Sequence, residues 1–244
     1  MSQPPSGGRR IAFFGGSFDP PHLGHLAVAR AARAALALNS VLFAPVGAQP
    51  LKPTGSTACF EDRVAMTRLA IAGDPEFAIS LADAPKATGA PNYTLETLRS
   101  LRAELPPKCS FYCLMGADSF VGLQRWHRAA EIPFVAPLIV ASRPGQPLDG
   151  LKALLPQGLT MVPATGSELE EPSVPKSNVP VKCFALLNMA GERTPFYLLP
   201  GLDVEISASE IRTQVQSDEG LKAKVHGLLP EVVADYVRAH GLYR

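Results

Sequence analysis

The chain has 244 residues, enough for one large domain with a buried core, and 46% of them are hydrophobic against 18% charged, a balance that excludes a largely disordered chain. Lys plus Arg (23) and Asp plus Glu (22) nearly cancel to a formal charge of +1, so no global field draws nucleic acid or an anionic membrane, and phosphate binding has to be local. Four cysteines without CxxC spacing, no apolar stretch of membrane-spanning length and no signal-type segment point to a reducing cytoplasm without a membrane anchor.

Met1 to Gly8 reads as a flexible leader before a single domain over 9–244. Ile11-Ala12-Phe13-Phe14 is a short apolar run that stops at Gly15-Gly16, which predicts a buried strand and a turn. The Ala- and Leu-rich stretch from Leu23 to about Leu38 predicts a helix, and Val41 to Pro45 a second strand. The alternation continues with helices near Phe60 to Ala72, Thr94 to Glu104 and Asp118 to Arg125, and strands near Phe77 to Leu81, Ser110 to Met115 and Leu138 to Ala141. This order predicts an α/β fold: a Rossmann-like, doubly wound parallel sheet with helices on both faces and ligands beyond the carboxyl ends of its strands.

Between Arg143 and Ile206 prolines at 147, 156, 163, 172, 175 and 180 punctuate the chain, and about 165–180 reads as a surface insertion. Strands return at Val181 to Leu187 and Phe196 to Leu199. Helices at Ser207 to Gln216 and Pro230 to His240 then form a small C-terminal helical part from about 207, with Pro230 suited to a first helical position and Gly241 to a helix stop. Cys109 and Cys113 share one face of an apolar run, which favours buried small side chains over metal ligation.

Two segments carry chemistry. Gly15-Gly16-Ser17-Phe18-Asp19-Pro20-Pro21-His22-Leu23-Gly24-His25 ends a strand and opens a helix, where unpaired N–H groups can face an anion. His22 and His25, three apart, can converge on phosphate oxygens, and an anion between them favours their protonated forms. A zinc pair has the spacing but no evident third and fourth ligand. In Ile206-Ser207-Ala208-Ser209-Glu210-Ile211-Arg212, Ser207 and Glu210 have capping-box spacing, while Ser209 and Arg212 can meet one phosphate chain on the first turn.

His22-Leu23-Gly24-His25 resembles the His-x-Gly-His signature of the nucleotidyltransferase superfamily, shared with class I aminoacyl-tRNA synthetases, and the late segment resembles that superfamily's Ile-Ser-Ser-Thr-x-Ile-Arg motif with Ala208-Ser209 in place of Ser-Thr. Pro50-Leu51-Lys52, Arg63, Tyr93-Thr94, Met115-Gly116-Ala117-Asp118-Ser119, Trp126, Arg143-Pro144-Gly145 and Leu242-Tyr243 extend the resemblance to bacterial-type nicotinate mononucleotide adenylyltransferases. Leu51 departs from that family's frequent Pro-Pro-His-Lys at the His position.

The resemblance implies transfer of AMP from ATP to nicotinate mononucleotide, giving nicotinate adenine dinucleotide and pyrophosphate for NAD biosynthesis. It assigns catalysis to His22, His25, Ser209 and Arg212, and ATP binding to Gly15, Gly16, Ser17, Phe18, Gly116, Asp118 and Ser207. Lys52, Tyr93, Thr94, Trp126 and Arg143 fall to the mononucleotide, with Trp126 offering its face to the pyridinium. Magnesium is expected through the ATP phosphates, with no metal site of the protein's own, no nucleic-acid or membrane partner, and a homo-oligomer left open. Phosphopantetheine adenylyltransferase, a CTP-using cytidylyltransferase and a non-catalytic nucleotide sensor remain as alternatives.

Overall fold

A computed structural model describes residues 8–51, 55–142, 148–166, 179–201, 206–216 and 227–244. Lys52, Arg143 and residues 167–178 of the expected insertion lie outside them, as does the leader up to residue 7. In chain order the elements are β1 (Arg10–Gly16), α1 (Leu23–Leu36), β2 (Ser40–Pro45), α2 (Phe60–Ile71), β3 (Phe77–Ile79), α3 (Thr94–Glu104), β4 (Ser110–Gly116) and α4 (Ala117–Val121). There follow α5 (Ile132–Val135), β5 (Leu138–Ala141), α6 (Leu148–Ala153), β6 (Thr160–Pro163), β7 (Lys182–Leu187), β8 (Arg193–Leu199), α7 (Ala208–Gln216) and α8 (Glu231–Ala239). Among the described residues no helix is long and apolar enough to cross a membrane.

The strands form one sheet in the order β3-β2-β1-β4-β5-β8-β7-β6. The six from β3 to β8 run parallel, and β7 and β6 add an antiparallel edge. Period-two alternation buries both faces: Ala12 and Phe14 of β1 enter one apolar cluster with α1, α2, α7 and α8, while Ile11 and Phe13 enter the other with α3, α4 and α5. Cys109 and Cys113 are buried in the second cluster, where burial pushes the Cys113 thiol up to about 12 and leaves it unreactive at neutral pH.

Local chemistry sets the boundaries. Helix α1 ends at Leu36 because Ala37 turns left-handed (φ +48°) and its N–H donates to the Arg33 carbonyl. The helix expected over Asp118 to Arg125 divides into α4 and a 3-10 turn, Leu123–Arg125, with Gly122 between them. Pro230 precedes α8 as its N-cap (ψ 139°) rather than standing inside it, and Gly241 takes φ +61° beyond the helix end as expected. The edge strand β6 and the helices α5 and α6 are additions to the elements read from sequence.

From β1 the chain winds outward through β2 to β3, then returns to β4 beside β1 and winds the other way. That reversal opens a crevice between the carboxyl ends of β1 and β4, where sheets of this kind take their ligands. Since Phe14 stands beside Leu114, the continuing strands bring Gly16 alongside Gly116 at its rim. A Cβ on Gly15 would fall 2.7 Å from the Phe13 ring, which requires glycine there for packing alone.

Beneath the rim, Arg63 of α2 is 2% exposed. Its Nη1 donates to the Ser17 carbonyl (2.7 Å), Nη2 to Val46 (2.8 Å) and Nε to Ala58 (3.3 Å). Burial draws the guanidinium pKa down and the nearby Asp19 opposes this, so the charge is held by matched acceptors on three loop segments. Arg63→Met keeps the volume but strands those carbonyls; it should lower unfolding free energy by roughly 3–5 kcal/mol, read from urea melts. A change under about 1 kcal/mol would show that the cation is dispensable to the fold.

Candidate active site

The loop after β1 is fixed from several directions. Phe18 adopts φ +47°, a left-handed conformation costly for a side chain of this size, and buries its ring to 1% exposure against Phe14, Phe43 and His25. Its side chain is therefore a core anchor, and only the loop position it holds can serve a ligand. The Asp19 carboxylate, buried, accepts from the Thr57 N–H (2.6 Å), the Ala58 N–H (3.1 Å) and the Tyr243 hydroxyl (2.8 Å). Arg212 donates to the Asp19 carbonyl (2.7 Å) and to Ser209 Oγ (3.1 Å), which ties the first turn of α7 to the same loop.

His22 is the N-cap of α1, and its ring stacks on that of His25 with centroids 3.7 Å apart. The His22 backbone N–H donates to His25 Nδ1 (3.2 Å). That bond requires Nδ1 to carry a lone pair, so neutral His25 carries its proton on Nε2. His22 Nδ1 is buried without a protein partner. Burial lowers His22 to a pKa of about 4, and burial together with the neighbouring His22 holds His25 well below its usual value.

Two adjoining cavities open at the switch point. The smaller, about 280 Å³, brings together Gly15, Gly16 and Ser17 with His22 and His25, Gly116 and Asp118, and Ser207, Ser209 and Arg212. Ser207 accepts the N–H of Ile211 at its carbonyl (3.0 Å), as the residue before α7 should. The N-termini of α1 and α7 thus converge on one volume, and their dipoles favour an anion there. The larger cavity, about 600 Å³, holds Tyr93, Thr94, Trp126 and His127, and shares Gly15 to Ser17 and Asp118-Ser119 with the first.

Tyr93 is the N-cap of α3 and Thr94 its first residue. The Tyr93 ring lies 4.5 Å from the exposed His127 imidazole, and Trp126 packs partly against the second apolar cluster. Asn92 holds this entrance: its N–H donates to the Ala48 carbonyl (2.9 Å), its Oδ1 accepts from the Ala48 N–H (3.0 Å) and its Nδ2 donates to Ala84 (3.0 Å). Asp83, also buried at this cavity, accepts a short hydrogen bond from Thr97, and burial pushes its carboxyl pKa up.

All the site residues read from sequence, save the undescribed Lys52 and Arg143, therefore border one or other cavity. Asp19, Gln49, Asp83, Asn92 and His127 are additions. The bonds that Asn92 and Gln49 make cross between loops, so no local periodicity marks them. Asp19 stands inside the histidine segment, yet its importance comes from Thr57, Ala58 and Tyr243, far off in sequence.

The buried histidine pair makes stability depend on pH. Folding depresses both pKa values below 6.5, so the unfolded chain binds more protons below that pH, and stability is lost as pH falls from about 6.5 towards 4. For His22 alone the loss is on the order of 3 kcal/mol by pH 4. Denaturant melts from pH 7 to 4.5 should show a shallower decline for His22→Gln than for the native sequence; identical slopes would contradict a buried neutral His22.

Residues 13–214 match the cytidylyltransferase-like family. The chain is 35% identical to a Gloeobacter violaceus protein named "probable nicotinate-nucleotide adenylyltransferase", over 97% of each chain. It is 36% identical to a Stenotrophomonas maltophilia protein of the same name, over 95% of this chain and 96% of that one. Among solved structures, the nicotinic acid mononucleotide adenylyltransferase of Plasmodium falciparum complexed with NaAD shares the fold at a TM-score of 0.66 and 16% identity, covering 96% of this chain and 97% of that one. The chain belongs to the cytidylyltransferase-like family and, within it, to the nicotinate-nucleotide adenylyltransferases.

Proposed function

We propose that the protein transfers AMP from ATP to nicotinate mononucleotide, releasing pyrophosphate and giving nicotinate adenine dinucleotide for NAD biosynthesis in the cytoplasm. The observation that carries this reading is the junction of two unlike cavities at Gly15 to Ser17 and Asp118-Ser119. One is walled by two helix N-termini, an imidazole pair and a guanidinium, and suits a polyphosphate. The other, larger and aromatic, suits a pyridine ring and its ribose. The names of the curated relatives support the same assignment.

An oxygen of the mononucleotide phosphate attacks the α-phosphorus of ATP in line, the bond to the bridging oxygen breaks, and pyrophosphate leaves with that electron pair. The nucleophile is already an anion and needs no general base, so catalysis rests on alignment and on stabilising charge in the leaving group. His22, His25, Ser209 and Arg212 fill that role, with the Nε2–H of His25 and the fixed guanidinium of Arg212 as donors. A polyphosphate beside the imidazoles raises their pKa values against the effect of burial, so ATP binding is coupled to proton uptake. Gly15 to Phe18, Gly116, Asp118 and Ser207 shape the ATP subsite.

Among the described residues no group of three or more His, Cys, Asp or Glu is placed to hold a metal ion. The donor set fits magnesium carried on the ATP phosphates, with Asp118 the carboxylate shared by both cavities. When bound, magnesium neutralises phosphate charge. The acid substrate is favoured because the amino terminus of α3, at Tyr93 and Thr94, offers its dipole and first N–H groups to a pyridine carboxylate. Trp126 presents a π face to the pyridinium. Lys52 and Arg143 complete the assignment on resemblance alone.

Purified protein with ATP and magnesium should turn over nicotinate mononucleotide far faster than the nicotinamide form, followed by pyrophosphate and dinucleotide together. Equal rates would remove the acid preference, and binding of ATP without turnover of either would replace the enzyme with a sensor. His25→Ala should lower kcat by about 10²-fold or more. Trp126→Ala should mainly raise KM for the mononucleotide; a near-normal kcat in the first or unchanged kinetics in the second would unseat that residue.

A further inference from the structure

We propose that Gln49 is a substrate-binding residue whose side-chain carboxamide donates a hydrogen bond to the phosphate of the pyridine mononucleotide and holds it for attack. The assignment rests on the reaction proposed above. Gln49 Nε2 donates to Ser17 Oγ at 2.6 Å, across 32 residues of chain. Ser17 borders both cavities, while Gln49 borders the mononucleotide cavity alone. Their hydrogen bond therefore stands at the junction, where the nucleophilic phosphate has to meet the α-phosphate of ATP.

The segment from Val46 to Leu51 has no other polar side chain, since its remaining members are Val46, Gly47, Ala48, Pro50 and Leu51. Leu51, 46% exposed, stands where the resembled Pro-Pro-His-Lys has its histidine, so this loop can meet an anion through a side chain before residue 52 only at Gln49. The loop beneath is rigid: the Gly47 N–H donates to the Asp83 carbonyl (2.7 Å), the Ala48 N–H to Asn92 (3.0 Å), and Arg63 holds the Val46 carbonyl. An amide nitrogen carries two N–H groups. With one on Ser17, the other serves a phosphate oxygen from a preset position.

The test compares the native protein with Gln49→Ala and the isosteric Gln49→Glu. It measures kcat, KM for nicotinate mononucleotide, KM for ATP and the inhibition constant of nicotinate riboside, which has the ring and ribose but no phosphate. Loss of a hydrogen bond to a charged oxygen should raise mononucleotide KM about 10-fold or more in Gln49→Ala. Gln49→Glu should raise it further by repulsion, while ATP KM holds within about twofold in Gln49→Ala and the riboside inhibition constant does so in both variants. Native mononucleotide KM in Gln49→Glu would overturn the assignment even if the truncation disturbed the loop. A parallel rise in the riboside constant would overturn it too, making Gln49 a wall of the pocket rather than a phosphate ligand. Variants like the native protein, beside a native protein that turns over the mononucleotide, overturn Gln49 alone; a native protein that does not turn it over overturns the reaction as well.

Discussion

The buried guanidinium of Arg63 joins segments that have no regular structure to hold them. Ser17 follows β1, Val46 follows β2 and Ala58 precedes α2, and each would otherwise leave a carbonyl without a partner beneath the site. Three acceptors spread around one planar donor set their relative positions more tightly than three separate bonds could, because the fork is rigid. The neighbouring Asp19 answers with its own set, to Thr57, Ala58 and Tyr243. The loops after β1 and β2 are thus anchored from below by a polar layer.

That layer explains how the histidine pair can exist. Stacked imidazoles in a largely buried setting are tolerable while neutral, and each proton added would repel the other across 3.7 Å between centroids. A phosphate chain reverses the sign of the local field. The same two rings are then suited to sharing positive charge with Arg212, which the Asp19 carbonyl and Ser209 already hold in place. Affinity for the anion and the protonation of the site are one equilibrium seen from two sides.

The parallel part of the sheet and both motifs that line the smaller cavity are legible in the sequence because their signals are local: apolar runs of strand length, helix formers between them, and glycines where a strand gives way to a helix. The antiparallel edge is not legible in the same way. Strand β6, Thr160–Pro163, is four residues long and ends in proline, and only its pairing with β7 makes it a strand. Asn92 is invisible for a related reason, since its partners Ala48 and Ala84 offer backbone atoms and carry no compositional mark. Trp126 and Tyr93 could be placed by resemblance, but their gathering around one cavity with His127 depends on the turn at Gly122 and on α3 beginning where it does.

Tyr243 reaches Asp19 across 224 residues, and Arg212 reaches the same residue across 193. A loop encoded within the first twenty-five positions is therefore finished by side chains made nearly at the end. During synthesis the strand and glycine turn can form early, yet the carboxylate of Asp19 waits for the Tyr243 hydroxyl and its carbonyl waits for the Arg212 guanidinium until α7 has emerged. An incomplete nascent chain therefore leaves the Asp19 loop without two of its long-range ties, and those ties are the last that the chain can make.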